Sequence, residues 1–530
     1  MSSTVSKILS WGNIPQLLVD VFTKYSASEA LVDGDIRLSY RDLEVRVIAL
    51  ATAMQSNGVG PGDRVVILGS NSWQWVVTAL ACWWLGAVVV PINHRLKSLE
   101  ILPIIKTIRP KMLFIGSDSK GGSLTEVFYS SDDQPSQGTF SQLPGSCPLV
   151  DFHASGQNHS PVLWDEMVST VAGEAVLPAL NAAGSSLCQV LFTSGTTGKA
   201  KGVMHSQGQV LFCSGAIRSF QSCDNNDRFL VVPPYSHGFG LDAGILVGLM
   251  YGMSHLVARS PDPGYLLDLV SKERATVISG PPALFASLLV EEAVKPQSLE
   301  SVRLIATGGS DVQPKLIADL QKFADVYSAY GLTECLTVSG TGQGYSPEAI
   351  AKTAGKVVDG MAVSLVDQWG EEVPTGETGE VCVAGDGVML GYLNDKQQTE
   401  EAMDDHGWLR TGDLGCLTEE GDLRIVGRKK DMFICQGYNV YPAEVENLLL
   451  KSNMLSAVAV ISRKSRIAGE EGIAVCVLSD KSKTQIRELR LWARNNVADY
   501  KVPSKFIEID QLPLNATGKV DKLILQAEYS

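Results

Sequence analysis

Two long stretches, 28–115 and 187–340, alternate short apolar runs with segments of helical periodicity, and this alternation narrows the choice of fold more than any other feature. In the first stretch ALVDG and IRLSY read as a hairpin with Gly34 in its turn, and RDLEVRVIALATAMQSNGV reads as a helix ending near Gly58. DRVVILG, AVVVPIN and KMLFIG read as buried strands, separated by a helix over 73–85 and by LEILPIIKTIRP, helical despite Pro103. In the second stretch RFLVVPP, ATVISGPP, VRLIATGG and DVYSAYG are strands, with an apolar helix around 241–251. Such alternation specifies a parallel or mixed sheet covered by helices. Several of these strands end in Gly or Pro, and open α/β sheets bind ligands beyond the carboxyl ends of their strands. TSGTTG, PPYSHGFG, GPP, TGGSD and YGLTE are therefore expected to converge on one crevice.

The remaining texture divides the chain. Residues 116–165 are rich in Ser, Gly, Asp and Gln and read as surface loops around one strand, CPLVDF. From about 355 short strands (AVSLVD, GEVCVAG, LRIVG) between glycine turns suggest a β-rich subdomain. After Gly427 comes a charged RKKD linker and a last α+β segment with helices AEVENLLLK and TQIRELRLWARNN and strands AVAVIS and GIAVCVL. With 530 residues the chain is too long for a single core. The expected class is α/β: a large N-terminal domain of mixed sheets with a β-rich subdomain, and a small, mobile α+β C-terminal domain.

Composition excludes several functions. Net charge is −14 with no Lys/Arg run, which argues against a nucleic-acid partner or an anionic membrane surface. WVVTALACWWLGAVVVP (75–91) is shorter than the roughly 20 residues of a span, and Gly86 and Pro91 interrupt it. A buried helix followed by a buried strand is expected there, not an integral membrane segment. The ten cysteines form no CxxC pair, and MSSTVSKILSWGN lacks a signal-peptide core. A zinc site is not expected, and a reducing, cytoplasmic location is.

Five segments carry candidate chemistry. VLFTSGTTGKAKGVMHS (190–206) leaves a short apolar strand for a loop with Gly195, Gly198 and Gly202, the hydroxyls of Thr193, Ser194, Thr196 and Thr197, and Lys199 and Lys201. Glycines let backbone N–H groups approach an oxyanion, hydroxyls donate to it and lysine neutralises it. The spacing is not that of a Walker loop, because two residues separate Gly195 from Gly198 and Ala200 follows Lys199. Taken alone, the loop fits a phosphate cradle or a plain surface turn. YGLTE offers Tyr330 for stacking, Gly331 for a turn, the Thr333 hydroxyl, and Glu334, either a Mg²⁺ carboxylate or a solvated charge. GWLRTGDLG sets Asp413 in a glycine-flanked turn, as a ribose acceptor or a turn-forming Asp. Arg428 opens the charged linker, and Lys519 lies in the loop LPLNATGKV; each by itself also fits a solvated surface charge.

Together, in this order and at these separations, VLFTSGTTGKAKGV, TGGS, YGLTE, GWLRTGDLG, GRKKD and PLNATGK closely resemble the adenylate-forming superfamily. Its members include acyl- and aryl-CoA ligases, peptide-synthetase adenylation domains and beetle luciferases, and the resemblance runs along nearly the whole chain. It implies an AMP-binding domain over 1–428, a hinge at 429–430 and a C-terminal domain over 431–530. It implies that Thr193, Ser194, Gly195, Thr196, Thr197, Gly198, Lys201 and Gly202 hold the β- and γ-phosphates of ATP. Ala200 replaces a family proline, which implies a more mobile loop. Gly308, Gly309 and Ser310 line the adenine and acyl pockets; Tyr330 and Gly331 lie on the adenine side; Thr333 meets the α-phosphate and Glu334 holds Mg²⁺. Asp413 and Arg428 bind ribose, and Lys519 touches the carboxylate and the α-phosphate. Lys430 is the pivot, and Gly437 lets the pantetheine of CoA pass. His237 occupies the position of a ligase histidine between acyl pocket and thiol channel, although a histidine beside Tyr235 and Phe239 is more often a packing residue.

The implied reaction activates a small carboxylic acid as an acyl-adenylate and passes the acyl group to a thiol. An acyl-CoA synthetase is the first expectation. Pocket positions near 237–242, 306–310 and 329–338 (among them Ala306, Thr307, Ala329, Leu336 and Val338) bring no Lys or Arg, which suggests a monocarboxylic fatty or aryl acid. Asp242 lies past the position where amino-acid-activating relatives carry their Asp. A stand-alone adenylation enzyme loading a phosphopantetheinyl carrier protein stays open, as do an inactive binding relative and a luciferase-like oxidase.

Overall fold

The strand–helix alternation resolves into two large mixed sheets. The first has nine strands in the order Lys356–Val357, Ser339–Gly340, Asp325–Tyr330, Leu304–Gly308, Val277–Gly280, Arg228–Val231, Ser254–Val257, Glu29–Asp33 and Ile36–Ser39. Its six central strands pair in parallel, and antiparallel pairs close both edges. The second has eight strands: Gly391–Tyr392, Lys201–Ser206, Leu187–Thr193, Val88–Ile92, Arg64–Leu68, Met112–Ile115, Leu149–Asp151 and Val162–Leu163. Here too the middle is parallel, while Lys201–Ser206 runs antiparallel to both of its neighbours. The computed structural model describes residues 11–529 apart from 119–120, 129–146, 153–161, 170–174, 194–199, 293–296, 310–311, 436–437, 466–468, 480–484, 498–500 and 516–517.

Local chemistry sets the element boundaries. The hairpin turns at Gly34, at φ +64°. Helix Tyr40–Ser56 starts at a capping box, in which the Ser39 hydroxyl accepts from Asp42 N–H and the Asp42 carboxylate accepts from Ser39 N–H. Helix Trp73–Trp84 is capped by Ser72, and Asp33 Oδ2 accepts from its first N–H at 3.0 Å. All twelve of its residues are buried, and the buried strand Val88–Ile92 follows, as expected for 75–91. Burial on every side accounts for its uniform apolarity; among the described residues no helix is long and apolar enough to cross a membrane.

The stretch expected as one apolar helix departs from that expectation. It opens as a π-helical turn, Leu241–Leu246, and becomes α-helical only over Val247–Tyr251. Two glycines pack it tightly: a Cβ on Gly240 would lie 2.3 Å from Pro234 O, and one on Gly244 would lie 2.5 Å from Val231 Cγ1. π-turns inside helices gather at functional sites.

The chain divides into two compact units, Met1–Ala362 with Ala384–Gly407, and Val363–Val383 with Trp408–Ser530. The first carries both large sheets. The second holds the antiparallel sheet Met361–Val366, Gly379–Gly385, Leu409–Leu417 and Leu423–Arg428, apart from the outermost residues of its first two strands. It also holds a five-stranded sheet built on the long pair Leu455–Ser465 and Gly469–Leu478. Helices Pro442–Leu450 and Gln485–Asn496 bury Val445, Leu449 and Leu489 with Phe433, Cys476 and Phe506 in a core of their own.

Candidate active site

In the larger unit two of the expected loops, TGGSD and YGLTE, leave the carboxyl ends of neighbouring parallel strands. Gly308 and Ala329 are register partners, and a Cβ on Gly308 would lie 2.7 Å from Ala329 O. Gly309 follows at φ +83°. Tyr330 ends its strand, and the chain folds back so that Val338 N–H donates to Tyr330 O at 2.9 Å. Gly331 makes this return possible, because a Cβ there would lie 2.0 Å from Leu336 O. Thr333–Cys335 is a single 3₁₀ turn, closed by Cys335 N–H donating to Leu332 O at 3.0 Å. The Glu334 carbonyl accepts from Met389 N–H at 2.9 Å.

The Glu334 side chain is held by a residue that none of the sequence motifs identified. Tyr392 OH donates to Glu334 Oε1 at 2.9 Å. Tyr392 forms a two-residue strand with Gly391 and is paired opposite Val203, two residues beyond Lys201. Side chains at this diagonal spacing share one face of a sheet, and Lys201 Nζ lies 4.8 Å from the Tyr392 ring centroid. Burial, and then the Glu334 carboxylate, push the Tyr392 phenol well above its usual range, so it remains a donor. Lys201 is the register partner of Thr193, so cation and hydroxyl flank the mouth of the opening loop. Ser194, Gly195, Thr196, Thr197 and Gly198 lie outside the described residues, as do the expected mobility of that loop and Ser310. The signal that could have found Tyr392 is its place in GYLND, an aromatic behind a glycine, but five residues carry little information.

His237 caps the three-residue turn Gly238–Gly240, with Phe239 N–H donating to Nδ1 at 3.1 Å. A Cβ on Gly238 would lie 2.8 Å from Leu336 Cδ2 and 3.2 Å from Asp242 Oδ2, so PPYSHGFG packs directly against the YGLTE turn. Beneath it, Asp242 is 2% exposed. Gln189 Nε2 donates to Asp242 Oδ2 at 3.1 Å, while Oδ1 has no partner among the described residues. Burial raises this carboxyl to about 7, partly offset by the Gln189 hydrogen bond. Among the described residues its surroundings bring no compensating cation: burial holds His205, the register partner of Gln189, down at about 4, and pushes the Cys188 and Cys213 thiols up.

In the smaller unit three residues far apart in sequence come together. Asp413 lies inside strand Leu409–Leu417, which corrects the expectation of a turn. The backbone turns left-handed one residue earlier, at Gly412 (φ +69°), and the strand continues because its partner Leu423–Arg428 pairs past that point. Asp413 and Arg428 are register partners, and Arg428 Nε meets Asp413 Oδ1 at 2.6 Å. Asp413 is almost fully buried, whereas Arg428 keeps about half its surface, 46%. Lys519 follows Gly518 (φ +83°) in a turn where Asn515 N–H donates to Lys519 O at 2.7 Å and Lys519 N–H to Asn515 Oδ1 at 3.0 Å. The Lys519 residue is largely exposed, yet its ammonium is held below the usual lysine range. Desolvation is the main cause and the Arg428 charge the second, with Asp413 pulling the other way. Lys430 is exposed in the turn after Arg428, where its neighbour Lys429, not Lys430, pairs with Glu380 at 2.8 Å. Gly437 lies outside the described residues.

The donors suit one kind of metal. Among the described residues no three His, Cys, Asp or Glu side chains cluster as a dedicated cage. Glu334 offers a lone carboxylate beside the Tyr392 and Thr333 hydroxyls, which fits Mg²⁺ arriving with a nucleotide and keeping most of its waters.

Fold and site together define an adenylate-forming ligase. The AMP-binding enzyme family model matches residues 19–393, and the AMP-binding enzyme C-terminal domain matches 444–519. The chain belongs to the AMP-binding enzyme family, and within it to the acyl-CoA ligases. It is 33% identical over 529 residues (97% of this chain, 98% of the relative) to the 3-[(3aS,4S,7aS)-7a-methyl-1,5-dioxo-octahydro-1H-inden-4-yl]propanoyl:CoA ligase of Rhodococcus jostii. It is 34% identical over 524 residues (96% and 97%) to the enzyme of the same name from Mycobacterium tuberculosis. The o-succinylbenzoate CoA synthetase of Bacillus subtilis, solved with its acyl-adenylate, superimposes with TM-score 0.80 at 26% identity, over 96% of this chain and 97% of that one.

Proposed function

We propose that this ligase activates a monocarboxylic acid with a bulky, largely apolar ring system. The carboxylate oxygen attacks the α-phosphorus of ATP, the bond to pyrophosphate breaks, and the acyl-adenylate forms. The CoA thiol then attacks the acyl carbon, loses its proton, and AMP departs. The substrate class rests on the relatives named for a bicyclic propanoate and on the composition of the pocket positions. Ala306, Thr307 and Val338 are buried and Leu336 partly so, and no cation stands among them to receive a second carboxylate. The named relatives are CoA ligases, which disfavours a carrier protein as acceptor.

One observation carries the reading: Asp413, Arg428 and Lys519 converge although more than a hundred residues of sequence separate the first from the last. In this reading Asp413 accepts from the ribose hydroxyls, with Arg428 beside it. Lys519 meets the carboxylate and α-phosphate, where negative charge gathers as the bond to pyrophosphate breaks. Thr193, Ser194, Gly195, Thr196, Thr197, Gly198 and Lys201 grip the departing pyrophosphate. Gly308, Gly309, Ser310 and Tyr330 line the nucleotide and acyl pockets, Gly331 shapes the turn that presents Thr333 to the α-phosphate, and His237 borders the acyl pocket. Mg²⁺ held by Glu334 would supply charge neutralisation on the phosphates. Lys430 is the pivot of a domain movement between the two half-reactions, and Gly437 clears the path of pantetheine. The ten free thiols fit a cytoplasmic enzyme.

The test is a pyrophosphate-release screen over ring-bearing and linear carboxylic acids, followed by product analysis with CoA. Ring-bearing monocarboxylic acids should give pyrophosphate and a CoA thioester. Turnover confined to linear or dicarboxylic acids would overturn the substrate class, and adenylate without thioester would overturn the acceptor.

A further inference from the structure

We infer that Tyr392 is a positioning residue that joins the Mg²⁺ carboxylate to the cation of the pyrophosphate loop. The inference rests on the roles proposed above for Glu334 and Lys201. The link has two arms: the phenol donates to Glu334 Oε1 at 2.9 Å, and the face of the same ring carries Lys201 Nζ at 4.8 Å. Backbone geometry fixes the ring between them. Tyr392 N–H donates to Thr399 Oγ1 at 2.9 Å, and Tyr392 is locked opposite Val203 on the strand that begins with Lys201.

Two effects of the phenol on Glu334 oppose one another. Donation to Oε1 draws charge from the carboxylate and weakens it as a ligand. It also fixes the rotamer and commits Oε1, so that among the described residues Oε2 is the oxygen left to meet a cation. Partners behind metal ligands commonly raise affinity by about 10–100-fold, so orientation wins. The ring face adds a second function. A cation over an aromatic face is attracted by about 0.5–2 kcal/mol. That is enough to hold Lys201 beside the loop and weak enough to release it to an arriving phosphate. Glu334 and Lys201 would otherwise attract each other directly, and a salt bridge between them would withhold both from the nucleotide. The ring gives each a separate hold, the carboxylate at its hydroxyl and the cation over its face.

The experiment compares Tyr392→Phe, which keeps the ring and loses the hydroxyl, with Tyr392→Leu, which loses both. The first readout is Mn²⁺ affinity by EPR in the complex with a non-hydrolysable ATP analogue, alongside Glu334→Gln. The second is pyrophosphate affinity. Thioester formation from supplied acyl-adenylate and the thermal midpoint serve as controls for general damage. Tyr392→Phe should weaken Mn²⁺ about tenfold, while leaving pyrophosphate affinity, the thioester step and the midpoint close to wild type. Tyr392→Leu should weaken pyrophosphate as well, by about threefold or more. Wild-type Mn²⁺ affinity in Tyr392→Phe, with affinity lost in Glu334→Gln, overturns the inference and leaves the metal assignment standing. Unchanged affinity in Glu334→Gln overturns the metal assignment itself. Equal pyrophosphate affinity in the two Tyr392 variants overturns the Lys201 arm.

Discussion

Asp242→Asn should make the larger unit less sensitive to pH. The Asp242 carboxyl is 2% exposed, its Oδ1 has no partner among the described residues, and burial holds its pKa near 7 against an ordinary value of 3.8. Asparagine has the same shape and can still accept from Gln189 Nε2. The sign follows from proton uptake. Between about 4 and 7 the folded chain keeps a proton that the unfolded chain has lost, so folding weakens as pH rises through that window. At about 1.4 kcal/mol per pH unit, the wild type should lose about 3 kcal/mol relative to Asp242→Asn between pH 5 and pH 8. With an unfolding entropy of about 2.1 cal/mol/K per residue over roughly 390 residues, this corresponds to about 3–4 °C in thermal midpoint. The assay is thermal unfolding of both proteins at closely spaced pH values, comparing the midpoint difference. A difference that stays flat from pH 5 to pH 8, or that favours the wild type as pH rises, would refute the argument. Either result would mean that the carboxyl is solvated or paired in solution.

Gly331→Ala should cost about a hundredfold or more in adenylation, because its Cβ meets the Leu336 carbonyl oxygen at 2.0 Å and displaces the turn that carries Thr333 and Glu334; wild-type rates of pyrophosphate release would show that the turn tolerates the shift. Lys519→Ala should slow adenylation about 10²–10³-fold and largely spare thioester formation from supplied acyl-adenylate; equal loss in both half-reactions would refute its assignment to the first alone. Arg428→Gln should move the alkaline limb of adenylation to higher pH, since the guanidinium is one of the influences holding Lys519 low; a pH profile at saturating ATP whose limb stays put or falls would show that Lys519 does not set it. Arg303→Met should destabilise the larger unit by about 1–3 kcal/mol in chemical denaturation, because both oxygens of the buried Asp227 carboxylate bond to the half-exposed Arg303 and would keep only Thr276 Oγ1 and Asp224 N–H; no measurable loss would mean that water reaches that carboxylate.

Local sequence determined the elements. The strands, the hairpin at Gly34 and the helices over 40–56 and 73–84 follow from periodicity and capping, interactions made within one or two turns of chain. The ordered set of motifs also marked out Glu334, Lys201, Asp413, Arg428 and Lys519 without any structure. What sequence could not settle depended on register between segments distant in the chain. Asp413 looked like a turn residue because its glycine neighbours are a local signal. It lies in a strand because Leu423–Arg428 pairs across it and sets Arg428 opposite. The π-helical opening at Leu241–Leu246 likewise goes with tertiary packing, the close approach of Pro234 to Gly240 and of Val231 to Gly244. Tyr392 is the clearest instance. Nearly two hundred residues separate it from Lys201 and nearly sixty from Glu334, and only antiparallel pairing with Lys201–Ser206 sets its ring against one and its hydroxyl against the other. Sequence nominated the candidate groups; tertiary pairing decided what holds them, because those partners share no local signal.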